Sequence, residues 1–475
     1  MFPLPDDVFL LIFNHLPLAD VLRLRQVCSS FDDLTRTRSL WLGFLQRCVV
    51  RRNYPVPGMS GRRLQELDAG DIEQGVYNAL RLRRVWTSPT PTPLRRLTMM
   101  AGDGHASWQV VGLHFLPGRG HRYLLTIATK TDARRRVFCF KCWDLEGSVE
   151  PRCIAFSLMP DVHSFSVNNE PQYPAIMAVQ TSKLDIVNIN FDAQDHRRAF
   201  QTLSSHPSSA HVRAFSGPIV ITENPDHSLS VRDLRYPTKV LGIRNPAAET
   251  FHTAVIHPLF IIVIWTKTLQ FYGLPKWDAI PAGRTLLVPL NQHQWRWPID
   301  SVCSSFHASQ YSSGPTPVNI LIRFNSFLPW PVNLIHHHVL QPNPTFLLHA
   351  PISARNMPYI FPPAATHSIA SPVRLFAATD MALGAFGTAV WTDNFTEDWL
   401  GPSNTGQRIA GLVLPTARPH PDHVHGGESE EPSVAASTNF DLQREERWVK
   451  VAVDDLEGRL AAGTAAGHVF MFEYA

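Results

Sequence analysis

Apolar and polar positions follow two rhythms along the chain, and the change between them falls at a proline-rich stretch, SPTPTP, at 88–93. Before it the spacing is helical. Pro5 followed by Asp6 and Asp7 makes a helix start, because proline lacks only an N–H that would have no partner there, and carboxylates favour the positive end of the helix dipole. The helix so begun carries Val8, Phe9, Leu10, Leu11, Ile12, Phe13 and Leu16, apolar groups that point in nearly every direction instead of along one stripe, and Pro17 ends it. A second segment sets Val21, Leu24, Val27, Cys28 and Phe31 at helical spacing with Arg23 and Arg25 on the other side, and a third sets Trp41, Phe44, Leu45 and Cys48 at i, i+3, i+4 and i+7. Three small helices in about 45 residues bury too little surface to absorb this much apolar side chain, so part of it is expected to face another protein. After the turn-rich YPVPGMSG at 54–61, residues 62–86 place Leu64, Leu67, Ile72, Val76 and Leu80 among many arginines, which predicts one or two amphipathic linker helices. SPTPTP itself reads as a semi-rigid spacer, since consecutive prolines hold their neighbours extended.

From residue 105 onward the pattern changes to short runs of Val, Ile, Phe, Leu and Thr punctuated by Gly, Pro, Asn and Asp, which predicts an all-β region of roughly 370 residues. A weak repeat runs through it: an apolar strand, a polar turn, and a second strand with an aromatic or hydrophobic close. Copies lie at 122–147, 174–192, 218–234, 259–274, 318–337, 373–391 and 458–475, most of them about 40 to 60 residues apart, which is the spacing of propeller blades. A seven-bladed β-propeller is the expectation, with two stacked β-sandwich domains as the competing reading. The repeat is weak over 275–372, which leaves the blade number open by one. The organisation predicted is a helical domain at 1–50, linker helices and a Pro-rich spacer at 51–93, and a propeller at 94–475. A mobile loop is expected at about 415–440, where LPTARPHPDHVHGGESEEPSVAAST cannot build a core.

The N-terminal stretch resembles the F-box family over about a tenth of the chain. Leu4 and Pro5 match the opening Leu-Pro, Ile12-Phe13 and Leu16 the first helix, Val27-Cys28 the Val-Cys of the second, and Leu40-Trp41 the closing Leu-Trp. Phe31 stands where the family usually has tryptophan. The resemblance implies docking onto a Skp-type adaptor and through it onto a cullin, with Leu4, Pro5, Val8, Ile12, Phe13, Leu16, Leu24, Val27, Cys28, Leu40 and Trp41 as the adaptor-binding residues. It further implies a substrate-recognition subunit of an SCF-type ubiquitin ligase, without an active site of its own, that presents a protein on the propeller. A scaffold that uses the adaptor without ubiquitin transfer is the alternative. Within the β region, CWDLEG at 142–147 and DDLEGRLAAGTAAGHVFMFEYA at 454–475 resemble WD-repeat ends, although most blades lack the paired Gly-His.

Composition narrows the function further. The chain of 475 residues is 44% hydrophobic and 17% charged with a net charge of +3, which is globular and too mildly basic to imply nucleic-acid binding. Six sparse cysteines fit free thiols in a reducing compartment, and the N-terminal acids argue against a signal peptide, so cytoplasm or nucleus is expected, with no membrane partner. His420, Asp422, His423 and His425 could be zinc ligands by type, but they lie in a segment with no rigid frame. The run His336-His337-His338 falls in a strand, where neighbouring side chains face opposite ways. Cys139 and Cys142 form a CxxC with no second pair. GxSxG, P-loop and Rossmann patterns are absent from the sequence, so no cofactor and no catalysis are expected. Arg134, Arg135 and Arg136 at a hairpin tip, whose forks suit carboxylate or phosphate, are the candidate substrate contacts. Arg197-Arg198 and the linker arginines read as solvated surface.

Overall fold

The computed structural model describes residues 4–104, 108–132, 135–146, 150–307, 314–325, 334–372, 379–394, 406–414, 434–435, 437–443 and 448–475. It consists of an N-terminal helical unit seated on a seven-bladed β-propeller.

Four short helices open the chain, not three: α1 (Asp6–His15), α2 (Leu18–Leu24), α3 (Ser29–Thr35) and α4 (Arg38–Phe44), followed by a tight turn of π type over Leu45–Val49. The predicted second helix splits: the first part stops at Leu24, residues 25–27 turn, and the fully extended Cys28 (φ −161°, ψ 161°) starts the next. Arg25, expected on the solvent side, instead turns inward. Its guanidinium holds Glu73 with two hydrogen bonds of 2.7 and 2.8 Å, donates to the Thr35 carbonyl at 3.2 Å, and lies 5.4 Å from the Trp41 ring centroid. Trp41 in turn donates its Nε1–H to the Thr35 carbonyl at 2.9 Å, so the charged pair caps the aromatic core rather than facing water. Phe31 packs edge-on against Phe9 and Phe13, each at 5.4 Å, an aromatic contact where the F-box pattern has a larger ring.

The linker is one turn of 3-10 helix (Leu64–Glu66) and one α-helix, α5 (Ala69–Trp86). Asp68 and Asp71 cap its start reciprocally, each side chain accepting the other's backbone N–H at 2.7 and 3.4 Å. The helix belongs to both parts of the molecule. Ile72, Val76 and Ala79 complete the helical core with Val21, Leu40 and Phe44, while Leu82 and Trp86 enter an apolar cluster with Val390, Phe440, Trp448 and Tyr474. With Val56 and Leu67 also in it, the helical core reaches well past residue 50. SPTPTP does not hold the parts at a distance: Pro91 is buried, the Pro89 carbonyl accepts from Asn439 N–H, and the chain passes directly into a propeller strand.

Each blade is an antiparallel sheet whose first strand lies nearest the axis. These seven are Gln109–Phe115, Ser164–Val167, His211–Ser216, Phe251–His257, Ile299–Phe306, Met381–Leu383 and Trp448–Asp454. From the second blade round to the first, each touches the next. Seven apolar clusters sit one between each neighbouring pair of blades, which closes the ring. The seventh blade joins both ends of the β region: Arg95–Met100 pairs with His468–Glu473 as its outermost strand, a strand the sequence pattern from residue 105 did not contain. The predicted hairpins match the second and third strands of the first five blades and of the seventh, as in Tyr123–Asp132 with Arg135–Asp144. In the sixth the predicted copy falls on the first two strands instead, Met381–Leu383 and Thr388–Asn394.

The weak repeat over 275–372 has a cause. After the third strand of blade four the chain detours to the edge of blade three, where Gly283–Leu286 adds a parallel fifth strand, and only then returns as Asn291–Gln294. A further excursion at 341–363 separates the last two strands of blade five. Part of the expected mobile loop is strand: Val434–Ala435 pairs with blade five and Thr438–Gln443 is the outer strand of blade six. The rest of that loop, 415–433, lies outside the described residues, as do the His420, Asp422, His423 and His425 considered as metal ligands.

Candidate functional site

The helical unit sorts its apolar residues by which way α1 turns them. Phe13 and, in part, Phe9 and Leu10 face the core. Leu4, Val8, Leu11 and Ile12 recur at i, i+4, i+7 and i+8, which puts them on one face. Of these Leu4 is 46%, Leu11 63% and Ile12 44% exposed, and Val27, in the turn after α2, is 65% exposed. Four large aliphatic groups in water on so small a unit form the surface its composition predicted. The eleven residues carried over from the F-box pattern therefore divide. Leu4, Pro5, Ile12 and Val27 are exposed; Val8, Leu16, Leu24 and Cys28 are half-buried; Phe13, Leu40 and Trp41 are inside, where they hold the helices together and offer no surface. Leu11, the most exposed apolar residue of α1, was not among them. Its i, i+3, i+7 relation to Val8 and Leu4 was the available signal.

The unit is anchored to one end of the propeller, the end carrying the turns between first and second strands. Asn53 lies 2.8 Å from His307 Nε2, just after the first strand of blade five, and the Gly58 N–H donates to Glu457 Oε2 at 2.8 Å. Ser60 donates to the same carboxylate. Glu457 sits in the turn between Trp448–Asp454 and Arg459–Thr464.

The opposite end of the propeller holds a cavity of about 330 Å³. Strand polarity places it there, for it is lined by residues that open first strands (Ser164 and Phe165, Val212 and Arg213, Phe251 and His252) and by Arg136 and Phe138, which open the third strand of blade one. Arg136 is thus the candidate arginine that reaches a recess. Arg135, its neighbour on the strand, faces the other way, and Arg134 lies outside the described residues. Arg213, His163 and His252 were not singled out by sequence, because each comes from a different blade. Arg213 is held by Glu223, with Nε 2.6 Å from Oε2, and that buried carboxylate also takes His227 Nδ1 at 2.8 Å. Burial lowers the pKa of His252, leaving its ring neutral near pH 7.

The other sequence candidates have structural roles. Cys139 and Cys142 lie on opposite faces of one strand, in different apolar clusters, and burial pushes the Cys139 thiol up to about 12 and Cys142 in the same direction. All six cysteines are free. In the His336-His337-His338 strand, His337 faces blade six, bonding Asn319 Oδ1 at 3.0 Å and Thr366 Oγ1 at 2.6 Å, while His338 packs 4.8 Å from Trp295 on the other face. No group of three metal-ligating side chains is present among the described residues, and no described helix is long and apolar enough to cross a membrane.

Residues 2–47 match the model of the F-box-like family, so the exposed apolar face lies on an F-box-like unit joined to a seven-bladed propeller. No curated protein matches the chain. F-box domains generally bind Skp-type adaptors.

Proposed function

We propose that the chain is the substrate-recognition adaptor of an SCF-type, cullin-RING ubiquitin ligase, docking to a Skp-type adaptor through its F-box-like helices and carrying a protein substrate on the propeller, with no active site of its own. The observation that carries this reading is the outward set Leu4, Leu11, Ile12 and Val27 on a unit whose core is already filled. Leaving these groups in water costs about 1.5 to 3 kcal/mol each relative to burial, which a docked partner would recover.

The mechanism is positional. Helix α5 spans about 27 Å at 1.5 Å per residue and is rooted in both cores, so the propeller is held at a set distance and angle from the docking face. A rigid mount raises the effective concentration of a substrate lysine near the ubiquitin-charged enzyme, where a floppy one would dilute it. The anchored and open ends of the propeller also lie opposite one another, so a substrate on the open end leaves the docking face free.

The test is binding of the full chain to a purified Skp-type adaptor, with an Ile12→Asp, Val27→Asp double variant as comparison. A tight complex weakened about 100-fold or more in the variant, with propeller melting unchanged, is the expected result. Undiminished binding by the variant would remove the docking face, and a complex that recruits cullin yet transfers no ubiquitin to any captured protein would leave a scaffold.

A further inference from the structure

We propose that the cavity at the open end of the propeller receives the C-terminal end of a substrate chain, a free α-carboxylate on an apolar last residue. The inference rests on the reading that the propeller bears the substrate, and it names the kind of substrate. Three observations lead to it.

Size and placement come first. A recess of about 330 Å³ is at the small end of ligand sites, with room for one or two residues. It sits where the first strands begin, walled by four blades.

Charge comes second. Two guanidiniums line the cavity, but Arg213 is already neutralised by the buried Glu223. Arg136 has no carboxylate partner among the described residues; its guanidinium lies 5.5 Å from the Phe138 ring centroid. His252 adds no charge near neutral pH, since burial disfavours its cation. Asp300 and Glu249 act on His252, so the guanidinium of the lining left without a carboxylate of its own is that of Arg136, and it matches a monoanion. A phosphoryl group, close to a dianion at pH 7, would leave one negative charge unpaired there.

The third is the apolar wall. Phe138, Phe165 and Phe251 with Val111 and Val212 make up half of the lining, and Phe138 and Phe165 meet edge to face at 6.3 Å. Phe138, Val212 and Phe251 are buried in the blades' own clusters, so the half-buried Phe165 and Val111 are the surface left for an apolar side chain, while the Arg136 fork pairs with a carboxylate through two parallel N–H···O bonds. A chain ending in an apolar residue carries both features within a few ångströms of each other. An internal Asp or Glu carries only the charge.

The experiment uses the full chain in complex with its adaptor protein and measures fluorescence anisotropy of labelled Gly/Ser decapeptides ending in Leu-Phe with a free carboxylate. Binding is expected to fall about tenfold or more when the C-terminus is amidated, since one charge-assisted contact is lost. It is expected to fall equally when Leu-Phe is moved to the middle of the peptide. Arg136→Gln should lower affinity for the acid about tenfold and make acid and amide bind alike, and Arg136→Lys should restore part of the difference. Equal binding of acid and amide by the native chain, or no binding of the acid, would overturn the proposal. So would tighter binding of an internal phosphoserine peptide, or full competition by N-acetyl-phenylalanine at the peptide's own concentration, which would make the cavity a small-molecule site. Adaptor binding, measured on the same preparation, separates the two readings: its loss with peptide binding retained would remove the ligase and keep the carboxylate site.

Discussion

In the propeller strand Phe260–Trp265 all six side chains are buried, whereas in α1, a helix of ten residues rich in Leu, Ile, Phe and Val, only Phe13 is. Both segments are apolar nearly throughout. The strand has a blade on each side to cover it; the helix has a core on one side and water on the other. Continuous apolar sequence thus has two meanings, and neighbours in the fold decide between them: an element sandwiched within its own chain is covered on both faces, and one covered on a single face leaves apolar groups in water.

Three experiments bear on that contrast, beginning with the largest effect. Trp41→Ala empties the centre of the helical unit and removes the hydrogen bond to the Thr35 carbonyl. It is expected to cost about 3 to 5 kcal/mol there, with hydrogen exchange of α1 to α4 accelerated and exchange of blades one to four unchanged. Equal acceleration in all blades would mean that the two regions unfold as one. Next, Glu73→Ala leaves the Arg25 guanidinium without its partner above the Trp41 ring. The pair is 16% and 19% exposed, so a loss of about 2 kcal/mol is expected in denaturant titration of the helical unit, below the cost for a fully buried pair. A loss under about 0.5 kcal/mol would show that the pair lies effectively in solvent.

The smallest effect concerns acid. Burial holds the His337 imidazole down to about 3 and His338 to about 4, and keeps His252, His257, His293, His307 and His336 below their ordinary value. As pH falls below about 6.5 the unfolded chain takes up protons that the folded propeller refuses, so stability is full above that pH and is lost toward pH 4. Asp455, whose carboxyl burial raises to about 7, works the other way over this window and offsets part of the loss. The propeller melting temperature is expected to drop between pH 7 and pH 5. His338→Phe, which removes two ring nitrogens that have no hydrogen-bond partner, should gain about 1 kcal/mol at pH 7 and flatten the drop; an unchanged pH slope would count against burial as its cause.

What could be read from the sequence was what is local. The F-box-like stretch is contiguous, so its anchors appear in order, and the hairpins of six blades show because their strands are joined by short turns. Elements completed from afar did not show. Residues 95–100 carry no pattern that names their partner at 468–473, and the parallel strand Gly283–Leu286 belongs to a blade its chain has already left. Helical periodicity ran through Cys28 because spacing cannot register an extended residue, and it placed Arg25 outside because Glu73 arrives from a later helix. Arg136 was legible as a hairpin arginine; that Arg213, His163 and His252 share its recess follows only from the ring.

The seam in blade seven has a consequence for synthesis. Arg95–Met100 leaves the ribosome directly behind the helical unit, but its partner strand, His468–Glu473, is made last. Through the whole of translation this strand is an open edge able to pair with a foreign chain, but it opens with the cations Arg95 and Arg96 and follows the prolines of SPTPTP, both of which discourage such pairing. The helices can thus be folded before the ring they carry has shut, and on the proposed reading the chain can be recruited by its adaptor before it is able to hold a substrate.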